Sequence, residues 1–288
     1  MTRIAIVSVH YYSEYLRQSV SALSRLAART GAEAVVAVAN RGDLLPRLEA
    51  LSSGIPARSI KCLEHDNTGL EFGAYQAGLD CVRDANPEWV VFANDTFSIH
   101  NCFYSVYRKR LLSALAIPAD ENLLVAGEVV SMPRSYTTAD VRSNRWLTTS
   151  IFAINRTALR VLNYRVYHPE IDELIRSSSD RRLFFSEALD DALVAHLTGW
   201  LFGVPGQGAW YGAGPLTDAS APRLAAKARS ILQEKHLSAL LDDAGAWFFD
   251  LNPYGVREKI SRRVERAIFE ARSSILGRTR NAKAVGVP

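Results

Sequence analysis

The sequence predicts an α/β protein, a mostly parallel sheet flanked by helices, with a helical C-terminal extension. Three observations carry this. Short apolar runs alternate with helix-period segments through the first hundred residues. Polar or glycine-rich residues follow most of those runs. The last seventy residues hold two long helical patterns.

Residues 3–9 form the first apolar run, read as a core strand because Ser8 and His10 interrupt it too early for a leader peptide. Leu16, Val20, Leu23, Leu26 and Ala27 recur at helical spacing over 13–29, with Ser13 as the expected N-cap. Strands are expected at 33–39, 58–63 and 89–93, with a helix at 71–82. A further helix follows Asn101, and strands are read at 123–127 and 146–155, with a polar loop at 131–144 between them. Residues 187–197 read as helix, and 205–214 as a glycine-rich loop. Helices are expected at 223–241 and 256–275. The division that follows is a ligand-binding domain over 1–215 and a helical extension over 216–288.

Composition narrows the function. A hydrophobic share of 48% against 22% charged residues is globular, and no apolar run reaches the roughly 20 residues that span a bilayer. Cys62, Cys81 and Cys102 match no metal motif and suit a reduced, cytoplasmic compartment. Residues 256–288 contain nine Lys/Arg and three Glu, a balance of +6 in a chain of net +4, which leaves −2 for residues 1–255. The basic character therefore belongs to the tail and argues against nucleic acid as a partner. Within that tail, Val256, Ile260, Val264, Ile268 and Ile275 share a helical stripe, with Phe269 beside it. Arg257, Lys259, Arg262, Arg263, Arg266 and Arg272 line much of the rest, a pattern suited to peripheral contact with an anionic membrane or to packing on a protein surface.

No G-x-G-x-x-G follows the first strand and no P-loop occurs, so redox and P-loop chemistry are disfavoured. Ligands of open α/β sheets sit outside the carboxyl ends of the strands. Candidates there are His10 and Tyr11 after strand one, Asn40 and Asp43 after strand two, Asn67, Gly69 and Gly73 after strand three, and Asn94 and Asp95 after strand four. Asp95, flanked by Asn94 and Thr96, reads either as an oxygen ligand for Mg²⁺ or Mn²⁺ or as part of a turn. Glu187, Asp190 and Asp191 lie within five residues beside Phe184 and Phe185, and read either as acid–base candidates or as helix N-terminal acids. Arg134 is a loop cation, and Trp210 with Tyr211 sits among glycines as a candidate lid.

These residues carry a resemblance. Residues 7–16 look like the opening strand and helix of family 2 glycosyltransferases with the GT-A fold. Asn67, Gly69, Leu70, Glu71, Phe72, Gly73, Ala74 and Tyr75, followed by Asn94, Asp95 and Thr96, are similar to a pattern of the rhamnan-synthesis glycosyltransferases, which build bacterial surface polysaccharides. The resemblance spans about residues 1–200 and implies sugar transfer, with inversion, from a nucleotide-sugar donor to a glycan or lipid-linked acceptor. It further implies Asp191, in the pair with Asp190, as the base, and Asp95 as the single carboxylate where the broader fold has a D-x-D triad. The alternatives are a nucleotidyltransferase and a non-catalytic member of the fold acting as a scaffold.

Overall fold

A computed structural model describes residues 3–97, 105–203, 209–210, 212–252, 255–261 and 263–268. The chain runs β1 (Ile4–His10), α1 (Leu16–Thr30), β2 (Ala34–Ala39), a short 3-10 turn, α2 (Leu45–Ser52), β3 (Ser59–Glu64), α3 (Leu70–Arg83), β4 (Trp89–Asn94) and α4 (Ser105–Leu115). It continues through β5 (Leu124–Thr138), β6 (Val141–Asn155), the short helices α5 (Arg156–Val161), α6 (Pro169–Asp172) and α7 (Arg181–Phe184), then α8 (Asp191–Phe202), α9 (Ala221–Asp243) and β7 (Trp247–Asp250).

One seven-stranded sheet has the order β3-β2-β1-β4-β6-β5-β7. β1 to β4 are mutually parallel, β6 is antiparallel to β4 and to β5, and β7 is parallel to β5. β6 alone therefore opposes six strands that run one way. This is the mostly parallel, helix-flanked sheet that the sequence predicts.

Side-chain alternation on β1 explains the two faces. Ile4 and Ile6 join Leu23 and Leu26 of α1, Leu48 of α2 and Leu111 of α4 in one core. Ala5, Val7 and Val9 join Phe72, Tyr75 and Leu79 of α3 and Leu237 of α9 in the other. Phe92 and Phe152 stack at 4.9 Å across β4 and β6, with Tyr75 edge-on to both. A third core, with Tyr136, Phe184, Leu193, Leu197, Leu224 and Leu232, lies under the outer parts of β5 and β6.

Three local expectations change. Ser13 does not cap α1, whose N-cap position is Tyr15. The segment 131–144 is not a loop but the far end of a long hairpin, turning at Ala139 and Asp140, both with positive φ. Its buried polar residues are paired: the Tyr136 hydroxyl donates to the carbonyls of Arg145 and Lys235, and Ser143 donates to Asp242 at 2.6 Å, while Arg134, Arg142 and Asn144 are exposed. The segment 216–288, read as a helical appendage, enters the sheet. α9 lies against β6, and β7, which periodicity did not place, pairs with β5. Four residues, Trp247 to Asp250, are too few for a period to register.

Among the described residues, no helix is long and apolar enough to cross a membrane.

Candidate functional site

The chain moves from β1 to β2 and β3 on one side, then returns through α3 to β4 on the other. The strand order thus reverses between β1 and β4, and open α/β sheets hold their ligands outside the carboxyl ends at such a switch. Asp95, just past β4, ties the two strand ends together there. Its Oδ2 accepts the backbone N–H groups of Tyr11 and Tyr12, each at 2.8 Å. The carboxyl is buried, and burial pushes its pKa up to about 6 against the lowering effect of the two amides. The charge of Glu71, which accepts from the Ser230 hydroxyl at 2.5 Å, adds to the rise.

Above this brace, Tyr11 and Tyr12 are exposed, edge to face at 5.1 Å, and Tyr15 lies 5.2 Å beyond Tyr12. The Arg41 guanidinium sits 5.7 Å from the Tyr11 ring. Asp43 is turned to Arg41, at 2.7 and 3.0 Å, in an exposed ion pair.

The next corner joins β2 to β3. Asn40 is buried, and its Nδ2 donates to Asn67 Oδ1 at 2.7 Å and to the Leu70 carbonyl at 3.2 Å. Its Oδ1 accepts from His65 Nδ1 at 2.7 Å. Burial lowers the His65 pKa, partly offset by the Asp66 charge. His65 is not among the candidate site residues read from the sequence, although it begins the glycine-punctuated stretch that carries Asn67 and Gly69.

The glycines build this corner. Asn67, Gly69 and Leu70 have positive φ, and Gly69 precedes α3 with φ 70°. A Cβ on Gly69 would lie 2.4 Å from the Tyr167 ring, and one on Gly73 only 1.9 Å from the Thr68 carbonyl oxygen. Glycine is required where the backbone approaches this closely. Phe72 and Tyr75 of the same motif are core, and the Tyr75 hydroxyl donates to the Thr149 carbonyl at 2.9 Å. Asn94 accepts from the Thr96 amide and hydroxyl at 3.1 and 2.6 Å, closing a turn of its own.

Several expected site residues stand elsewhere. His10 is fully buried, with Nε2 2.8 Å from Ser8 Oγ and Nδ1 3.0 Å from Ser19 Oγ. Since the Ser19 hydroxyl donates to the Leu16 carbonyl at 3.1 Å, Nδ1–H donates to Ser19 and Nε2 accepts from Ser8. Burial drops its pKa to about 4, so this is a satisfied neutral core histidine, not a ligand-facing one. Asp190 is committed to capping α8, accepting from the amides of Ala192 and Leu193. Asp191 and Glu187 are exposed, and among the described residues neither side chain makes a hydrogen bond or ion pair. Among the described residues, no hydrogen bond or ion pair joins them to Asp95. Arg134 is exposed on the β5–β6 hairpin. Trp210 is stacked on Trp200 at 6.0 Å, with the Arg223 guanidinium 5.3 Å from its ring, so it is anchored on α8 and α9 rather than poised as a lid. Tyr211, Cys102 and the tail residues Arg262, Phe269, Arg272 and Ile275 lie outside the described residues.

Among the described residues, no group of three or more His, Cys, Asp or Glu is placed to hold a metal ion. With one oxygen of Asp95 taken by two amides, the protein groups here do not fit a divalent cation held by the chain alone.

No protein-family model matches the chain, and no curated protein matches it in sequence. Among solved structures, it is similar to mannose-1-phosphate geranyltransferase from Thermus thermophilus, with 13% identity and a TM-score of 0.36 over 56% of this chain and 60% of that one. It is similar to HddC from Yersinia pseudotuberculosis, with 10% identity and a TM-score of 0.32 over 55% and 78%. It is also similar to the glycosyltransferase GlyE in Streptococcus pneumoniae, with 11% identity and a TM-score of 0.31 over 60% and 38%. The chain thus spans less than two thirds of the first and third of these proteins. On its own strand order and pairing, the chain is a Rossmann-like α/β protein in which Asp95 bridges the switch between β1 and β4.

Proposed function

We propose that this protein is a nucleotide-sugar-dependent glycosyltransferase that adds a sugar to a glycan or lipid-linked acceptor, with inversion. The observation that carries the reading is the Asp95 brace beneath exposed Tyr11 and Tyr12 at the switch point. The exposed Tyr11 and Tyr12 rings, with Arg41 beside Tyr11, offer an aromatic face on which a nucleobase can stack, and the Asn40–His65–Asn67 corner offers neighbouring polar groups. In this reading Asp191, exposed at the head of α8, takes the proton of the acceptor hydroxyl as its oxygen attacks the anomeric carbon. The nucleoside diphosphate leaves with the bonding electron pair. Asp190 keeps the head of α8 in place.

The test is a thermal-shift panel of nucleoside diphosphates and their sugars on the full chain, with and without Mn²⁺. A saturating nucleotide is expected to raise the midpoint by roughly 5 °C, and Tyr11→Ala to remove most of that rise. Turnover assays on Asp191→Asn should then lose activity while the nucleotide shift remains. If no nucleotide stabilises the protein, the reading falls. A second reading, a non-catalytic binding member of the fold, is favoured by the engagement of Asp95 with backbone amides. Ligand binding without turnover, unaffected by Asp191→Asn, would select it.

A further inference from the structure

The helical residues 256–261 and 263–268 dock with an unusual face turned inward. Glu258, Ser261 and Glu265 are the half-buried positions. Glu265 accepts from the Ser105 amide at 2.7 Å and from the Ser105 hydroxyl, and Ser261 donates to Glu265 at 3.2 Å. Arg110 lies 3.9 Å from Glu258, and donates to the Asp250 carbonyl at 2.9 and 3.1 Å. The apolar side points away. Val256 is 74% exposed, Ile260 55%, Val264 54% and Ile268 48%.

At roughly 100° per residue these four form one stripe, and Lys259, Arg263 and Arg266 fall in the sector beside it, off the docked face. All three are exposed, as is Arg257, and among the described residues Arg257, Lys259 and Arg263 make no ion pair. Burying an apolar stripe is the ordinary reason for a surface helix to dock. Here hydrogen bonds to its acidic side hold the helix and leave the stripe outward.

We propose that this face is a docking surface for an anionic lipid bilayer, with the apolar stripe inserted at the headgroup boundary and the bases on lipid phosphates. Charge complementarity selects that occupant over a second copy of the chain. The tail from residue 256 carries +6, whereas residues 1–255 offer a partner only −2. Position agrees, since Asp250 ends β7 and so lies at the carboxyl edge of the sheet, the edge that also carries Asp95. This inference stands apart from the transferase reading. If both hold, an acceptor anchored in lipid is presented to the correct edge.

Co-sedimentation of the full chain with vesicles tests it, comparing phosphatidylcholine alone with mixtures containing about one third phosphatidylglycerol. The chain should partition onto the anionic vesicles only, and salt should release it. Ile260→Asp and Val264→Asp should each lower partitioning at least tenfold, and Lys259→Glu with Arg263→Glu by roughly tenfold or more. These positions are solvent-facing, and unchanged unfolding midpoints confirm intact folding. Absence of binding to anionic vesicles by the wild-type chain overturns the proposal. So does binding that survives Ile260→Asp, which would mean charge adsorption without insertion, or a dimer in solution that Ile260→Asp dissociates.

Discussion

Asp95 and Tyr12 meet across the reversal point of the sheet, the carboxylate after β4 receiving the N–H that follows β1 at 2.8 Å. The same oxygen holds Tyr11, so one side chain fixes the path of the loop that presents both rings. Its cost is electrostatic. A carboxyl raised to about 6 from an ordinary 3.8 contributes stability that is present below pH 3.8 and lost as pH rises through 6. Asp95→Asn keeps an oxygen for both amides and removes the buried charge. Relative to wild type it should gain about 2 kcal/mol on going from pH 4 to pH 7.5, measured by urea unfolding. An equal difference at both pH values would refute this. Asp95→Ala, which orphans two amides, should instead destabilise by about 2 kcal/mol or more at pH 4.

Gly69 and Tyr167 should be energetically coupled. Gly69→Ala meets the Tyr167 ring at 2.4 Å and also forces a Cβ into φ 70°. In a Tyr167→Ala background the collision disappears and only the left-handed penalty remains, about 1 kcal/mol. Thermal or urea unfolding of the four proteins of the cycle should therefore show the Gly69→Ala penalty shrinking sharply when Tyr167 is truncated. Additive penalties would contradict the geometry.

His10 predicts acid sensitivity. Its pKa of about 4 lies below the ordinary 6.5, so its neutral form contributes stability that is full above pH 6.5 and lost as pH falls towards 4. Between pH 7.5 and 5 the loss should reach about 2 kcal/mol. His10→Asn, although less stable at neutral pH, should show a flatter stability profile over that interval. A profile as steep as that of wild type would mean that other groups carry the acid response.

Asn155 closes four hydrogen bonds at the end of β6. Its Oδ1 accepts from the Leu124 and Ala158 amides, and its Nδ2 donates to the carbonyls of Ala119 and Asn122. Asn155→Asp is nearly the same size but offers those two carbonyls no donor when ionised. It should cost about 3 kcal/mol or more, comparable to Asn155→Ala, with partial recovery at low pH as the acid regains a proton to donate. Denaturation midpoints at pH 4 and 7.5 check both parts.

The parts legible in the sequence were those with a period. Ile4, Ile6 and Val7 in an unbroken apolar run announced a central strand, and Leu16, Val20 and Leu23 announced its helix. The corner at Asn67, Gly69 and Gly73 was legible because its glycines are required by contacts only glycine allows. The hairpin end at 131–144 was not legible. Its strands bury Tyr136, Thr138 and Ser143 against α9, a hundred residues away, and their polar groups look like loop chemistry until those partners are in place. His10 misled for the same reason. Ser8 and Ser19 turn a polar side chain at a strand end into a core residue, and only the fold aligns them. Asp190 and Asp191 read alike in sequence, and only the start of α8 separates a cap from an exposed acid.

The contact of α3 with β1 has a consequence for kinetics. A Cβ on Gly78 would stand 2.3 Å from Val7 Cγ1, so helix and strand meet there backbone to side chain, with no adjustable group between them. The corner carrying Asn67 is therefore bolted to the middle of the sheet. A small molecule arriving there meets a wall already in its final position. In the proposed function, nucleotide recognition at that corner should proceed in one step, with an observed rate rising linearly with ligand concentration and no slower phase from loop reorganisation.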